Sequence, residues 1–243
     1  MTDPTAPLAP PSFAAKGSQR WLQIAVNRRP AVIDEPLLAA ARLPRDTRIT
    51  WLSPVESDGF VEYFDQSMCD RLEIQPREPL NSFWPAGGPR WDGLARAAST
   101  GDVFLVEAKA HIGEMVSGAS RACDASRAKI AESLRAVQRE IAPGADEVDW
   151  TGRFYQYANR LAHLHFLRQQ NGIPAHLVLV YFLNAADVNG PTQRAEYEGA
   201  IQVIEHYLGV RRSKISRYVH KLFVDVRSLR ADGIHHRSRE VLS

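Results

Sequence analysis

Residues 103–112 read VFLVEAKAHI. In an extended chain successive side chains point to opposite faces, so Val103, Leu105, Glu107, Lys109 and His111 share one face, and Phe104, Val106, Ala108 and Ala110 share the other. The run is apolar enough for a buried strand, yet one of its faces carries a carboxylate and an ammonium. Taking such groups out of water costs several kcal/mol each, which pairing often fails to offset. The pattern therefore points to chemistry at Glu107 and Lys109, with a structural salt bridge as the plainer alternative. His111 lies further along the same face and is expected at the surface or behind the site.

The segment upstream extends this reading. PRWDGLARA, residues 89–97, precedes Ser99, Thr100 and Gly101, a cluster of turn-forming residues. An antiparallel hairpin with Ser99 and Thr100 at its tip sets Asp92 opposite Glu107. Opposed residues on such a pair have Cβ atoms roughly 4.5 to 5.5 Å apart, and two carboxylates held there repel unless a cation lies between them. A hard divalent cation resolves the conflict: Mg²⁺ is commonly bound by one or two carboxylates together with water and phosphate oxygens. Lys109 then lies within reach of the phosphate or the attacking water.

Asp92 followed, after a gap, by Glu107-Ala108-Lys109 resembles the PD-(D/E)XK nuclease superfamily, with its restriction-endonuclease-like fold. The resemblance implies an Mg²⁺ site, or one for Mn²⁺, built from Asp92, Glu107 and the backbone carbonyl of Ala108, with Lys109 catalytic. It also implies an α/β fold, an α/β/α sandwich around a mixed central sheet with an αβββαβ core. One departure is plain: Trp91 stands where the family pattern has its proline. Two further roles follow from the same resemblance. Glu62, on the expected leading helix, matches in type and order a helix glutamate that some members add to the metal site. Gln156, on the helix before the last core strand, matches a residue that orients substrate. Asn159 and Arg160, one turn further along that helix, share its face, and Arg153 and Arg160 are expected to contact phosphate. His163 and His165 diverge around the helix and are expected in packing or at the surface.

Composition sets the outer limits. A hydrophobic content of 44% over 243 residues suits one large globular domain with appendages. Cys69 and Cys123 lack metal-ligand spacing and cannot build a disulfide scaffold. The apolar runs are strand-sized and fall short of the ~20 residues of a membrane span, so a cytoplasmic protein is expected. The net charge of +2 announces no polyanion partner. Residues 209–243 nonetheless hold nine Lys or Arg against three acids, a segment that suits phosphate neutralisation or a solvated surface equally.

The chain divides into a proline-rich disordered leader (1–17), a helical N-terminal appendage (18–54) and the nuclease-like domain (55–243), whose core covers about 55–185 and whose basic extension covers 209–243. A strand is expected over Arg48–Leu52, a helix from Asp58 to Leu72, strands near Asn81–Trp84, Pro89–Ala97 and Asp102–His111, and helices over Ser120–Ile141 and Thr151–Gln170. The run HLVLVYFLN, residues 176–184, is apolar on both faces and belongs inside a covered sheet. A helix over Thr192–Leu208 and a strand over Lys221–Val226 complete the layers. The function expected is metal-dependent hydrolysis of phosphodiester bonds in nucleic acid, with DNA as the first substrate to test. A non-catalytic binding or interaction module of the same fold is the alternative, and an unrelated α/β protein the third reading.

Overall fold

The computed structural model describes residues 12–119 and 122–230. Helices α1 (Gly17–Arg28) and α2 (Ala31–Ala41) lead into strand β1 (Ile49–Ser53), followed by α3 (Asp65–Leu72) and the single turn α4 (Leu80–Phe83). Strands β2 (Gly93–Ala97) and β3 (Val103–Lys109), helices α5 (Asp124–Ile141) and α6 (Tyr155–His165), strand β4 (Ala175–Leu183), helix α7 (Arg194–Tyr207) and strand β5 (Val219–Asp225) follow. The sheet runs in chain order, β1-β2-β3-β4-β5. Its first three strands are an antiparallel meander, and β4 and β5 join parallel to β3.

Period-two alternation sends each strand's side chains into two separate cores. Leu94, Val103, Leu105, Leu177 and Leu179 pack under α3 to α7, while Ala95, Phe104, Val106, Val178 and Val180 pack against α1 and α2. The protein is thus an α/β sandwich with helices on both faces of a mixed sheet. Strand β4 is buried over Ala175–Phe182, as expected for a parallel strand covered on both sides. No helix among the described residues is long and apolar enough to cross a membrane.

Several expectations are corrected. Residues 18–54 are not an appendage: α1 and α2 cover one sheet face, and β1 supplies the first strand of the meander through pairs such as Ile49 with Ala97. The strand expected over Asn81–Trp84 is the helical turn α4, because Pro79 starts it at φ −66° and Leu80 and Phe83, one turn apart, are both buried. The helix expected from Asp58 begins only at Asp65. Gly59 and Phe60 take φ of +74° and +62°, a left-handed corner that no helix can pass through. Likewise α6 starts at Tyr155 rather than Thr151, after Phe154 at φ +62°. Of the expected leader, residues 1–11 lie outside the described residues, whereas Phe13 packs on Phe60 with ring centroids 5.1 Å apart. The basic extension lies outside the described residues from 231 onward, Arg237 and Arg239 included. Within the described part, Lys221 and Arg227 pair with Glu205 and Asp225.

At the N-terminal ends of the parallel strands, His176 hydrogen-bonds Asp102 through Nε2 (2.8 Å) and His220 through Nδ1 (2.8 Å). Burial pushes both imidazoles below their usual pKa, His220 to about 4, and burial pushes His163 on α6 to about 3. A histidine with a depressed folded-state pKa stabilises fully above its unfolded value near 6.5, and that stability is lost as pH falls through the folded value. We expect His220→Gln to flatten the loss of urea stability as pH falls from about 6.5 to about 4, by up to about 1.4 kcal/mol for each pH unit of that window, in which the unfolded state has bound the proton and the folded state has not. Parallel curves for the two proteins would contradict it.

Candidate functional site

The β2–β3 hairpin has the register that its turn implies. Gly93 faces Val106 and Leu94 faces Leu105, so Asp92, one step beyond the ladder, comes alongside Glu107. The turn closes through Ala97 N–H to Asp102 O (2.8 Å) and Gly101 N–H to Ala97 O (3.0 Å), with Gly101 at φ +75°. One oxygen of Asp92, Oδ2, accepts from Ala108 N–H at 2.8 Å. Because a strand residue's N–H and C=O face the same side of the strand, the Ala108 carbonyl faces the side that Asp92 occupies.

Glu107 is 3% exposed and saturated with positive charge. Lys109 Nζ donates to Oε1; Arg160 Nε donates to Oε2 at 2.7 Å, with Nη2 2.6 Å from the same oxygen. Burial alone would raise the Glu107 pKa, but Arg160 and Lys109 outweigh it and hold the carboxyl below its usual range. Asp92 shows the reverse balance. Burial, and then the negative charge of Glu107, push its pKa up to about 7 against the smaller opposing pull of Lys109, Ala108 N–H and Arg160.

Helix α6 supplies the rest of the floor. Gln156 Oε1 accepts from Lys109 Nζ at 2.9 Å, and its backbone N–H donates to Ser117 Oγ at 2.8 Å, so the lysine is fixed between Glu107 and Gln156. Asn159 Oδ1 accepts from Arg160 Nη1 at 3.2 Å. Arg160 is itself buried, donates from Nη2 to the Arg90 carbonyl at 2.7 Å and lies 4.5 Å over the Trp91 ring. Trp91 thus seats the arginine that neutralises Glu107. The phosphate contact expected of Arg160 is replaced by internal ones: its guanidinium is spent on Glu107, Asn159 and the Arg90 carbonyl. The signal available was the tryptophan itself, a large π-face in place of a small rigid ring.

Asp92, Gln156, Asn159, Arg160 and Glu62 line one cleft of about 890 Å³. Glu62 stands in an extended segment rather than on a helix, at the rim, where it accepts from Gln19 Nε2 on α1 at 3.2 Å. Arg153 is exposed in the turn before α6 and is not among the residues that line the cleft. His111 is also exposed and accepts from Gly113 N–H at 2.9 Å. Arg90 and Tyr155 are among the lining residues of the cleft that lie outside the set expected from sequence.

Among the described residues no three His, Cys, Asp or Glu side chains gather as a ready-made metal cluster. The oxygen donors adjacent on the hairpin are two carboxylates and the Ala108 carbonyl, an all-oxygen set of the kind Mg²⁺ accepts when water completes its shell; Asp92 lines the large cleft, and Glu107 lines a small adjoining pocket with Lys109. The Asp92 pKa is raised first by burial and then by the charge of Glu107, and a bound cation would offset both. The residues therefore fit a hard divalent ion, with Asp92 its more available ligand because Lys109 and Arg160 already occupy Glu107. No family model, curated protein or solved structure matches this chain.

Proposed function

We propose that this chain is a divalent-metal-dependent nuclease that hydrolyses phosphodiester bonds of nucleic acid, DNA in the first place, in the manner of the PD-(D/E)XK superfamily that it resembles. One observation carries the reading: Asp92 and Glu107 stand side by side on an antiparallel hairpin, with Lys109 on the same face, beside a cleft of about 890 Å³. The sheet order supports it, since an antiparallel meander continued by a parallel strand after a helix is the core that the resemblance implies.

Asp92, Glu107 and the Ala108 carbonyl would hold the ion, with Glu62, which lines the same cleft as Asp92, contributing through water. When bound, Mg²⁺ or Mn²⁺ supplies Lewis-acid polarisation of the phosphate and acidifies a bound water. Lys109, oriented by Gln156, puts positive charge where the transition state gains negative charge. Arg160 fixes the rotamer of Glu107, and Asn159 orients Arg160.

The test is cleavage of single-stranded, double-stranded and branched DNA and RNA with Mg²⁺, Mn²⁺ or EDTA. We expect Lys109→Ala to lower the rate about 10²- to 10³-fold while a divalent-induced rise in melting temperature persists. No cleavage of any substrate by the wild type, with nucleic-acid binding indifferent to Asp92, Glu107 and Lys109 substitutions, would move the assignment to a non-catalytic module. One observation favours that second reading: Lys109 and Arg160 both pair with Glu107, so its charge is satisfied without a metal.

A further inference from the structure

The arginine that α6 contributes is buried and committed, which leaves the substrate's phosphates without an obvious partner there. Arg90 is the other arginine lining the cleft, and it differs in each respect. It is exposed, it lies two residues before Asp92, and among the described residues no carboxylate pairs with it. Its guanidinium rests 4.1 Å over the Phe64 ring, which limits its rotamers and aims a planar set of donors.

The loop that carries it, PAGGPR (85–90), is clamped from below. Asp65 accepts Gly87 N–H through Oδ2 at 2.7 Å and Gly88 N–H through Oδ1 at 2.9 Å. Phe64 and Asp65 are neighbours, so one corner both holds the loop and provides the ring under Arg90. A side chain at its centre would displace the clamp: a Cβ on Gly88 would fall 2.5 Å from Asp65 Oδ1, so the carboxylate would have to move off the loop N–H groups. Asp65 keeps this position at φ +47°, a conformation that most residues avoid.

We propose that Arg90 binds a substrate phosphate adjoining the scissile one, and that Asp65 and Gly88 are positioning residues that hold the 85–90 loop for that contact. The proposal rests on the phosphodiesterase reading. A guanidinium that is preorganised and free of carboxylate partners matches the bidentate geometry of a phosphodiester, and it supplies at the cleft wall the charge that the neutral cluster on the floor lacks.

The experiment measures binding of a labelled mixed-sequence single strand and of its duplex, with Ca²⁺ in place of Mg²⁺, across a salt series, together with kcat and KM in Mg²⁺. Arg90→Ala is expected to weaken binding about tenfold and to lower the slope of log affinity against log salt by about 0.7 for the single strand or 0.9 for the duplex. Arg90→Lys should restore that slope. Gly88→Ala, checked by its melting curve, should raise KM several-fold while kcat stays within about twofold. If wild type cleaves while Arg90→Ala keeps the wild-type affinity, slope and KM, the Arg90 assignment fails and the nuclease reading stands. If wild type neither binds nor cleaves, the nuclease reading itself fails, and Arg90's role goes with it.

Discussion

Asp92→Asn should remove divalent-dependent cleavage and, without metal, leave a protein that is at least as stable as wild type. The amide retains an oxygen to accept the Ala108 N–H that Asp92 now binds at 2.8 Å, so the hairpin keeps its closing contact. It loses the charge on which a divalent ion depends. Lewis-acid catalysis is worth several kcal/mol, and each 1.4 kcal/mol is tenfold in rate, so a loss of about 10³-fold or more is expected.

The stability half of the prediction follows from linkage. A carboxyl whose folded pKa is raised to about 7 from 3.8 binds its proton more tightly when folded. Its ionisation therefore destabilises the protein progressively as pH rises from about 4 to 7. At pH 8 the amide escapes that cost, and Asp92→Asn should gain on the order of 1 kcal/mol or more in urea unfolding with EDTA present. Addition of Mg²⁺ should raise the melting temperature of wild type, since a ligand that binds only the folded state stabilises it, and should leave the variant unmoved. An Asp92→Asn protein that cleaves at the wild-type rate would end the metal-site reading, and an equal Mg²⁺ response in the two proteins would move the ion elsewhere.

Arg160→Met should carry the largest cost in stability. Its guanidinium is the double contact to Glu107 Oε2, lies over Trp91 and caps the Arg90 carbonyl. Methionine keeps the apolar stem and removes the charge, leaving a buried carboxylate with Lys109 as its remaining cation. Breaking a buried pair in this way costs about 3 to 5 kcal/mol, because the partner's desolvation is no longer compensated. Glu107→Gln in the same chain should recover part of that loss, giving a coupling energy of about 1 to 3 kcal/mol in a double-mutant cycle. Urea unfolding of the four proteins measures it. A cost below about 1 kcal/mol for Arg160→Met, or strict additivity, would show that Arg160 is not the counter-ion of Glu107.

Local sequence determined the β2–β3 hairpin because its information is local. A turn at Ser99-Thr100-Gly101 fixes which residues oppose one another, and a one-residue slip would expose Leu94, Val103 and Leu105, so register and buried face reinforce each other. The same logic made Ala175–Leu183 legible as a covered strand. What the sequence could not supply was the identity of the hairpin's outer neighbour. Arg48–Leu52 reads as a strand on its own, but nothing local sets its pairing with β2 across some forty residues of chain, and Leu80–Phe83, equally short and partly apolar, becomes a turn of helix through the burial of Leu80 and Phe83. Glu62 left its expected helix through the left-handed corner at Gly59 and Phe60, a backbone state that an apolar periodicity does not record.

The carboxylates and the lysine of the candidate site share one hairpin and could therefore be read from spacing. The charge balance at Glu107 depends on Arg160, brought by α6 from 53 residues away in sequence, and on the Trp91 ring beneath it. Whether that arginine faces a phosphate or a buried carboxylate is decided by how α6 packs on the sheet, because desolvation and partner distance, which set the energy of an ion pair, exist only once the layers have closed.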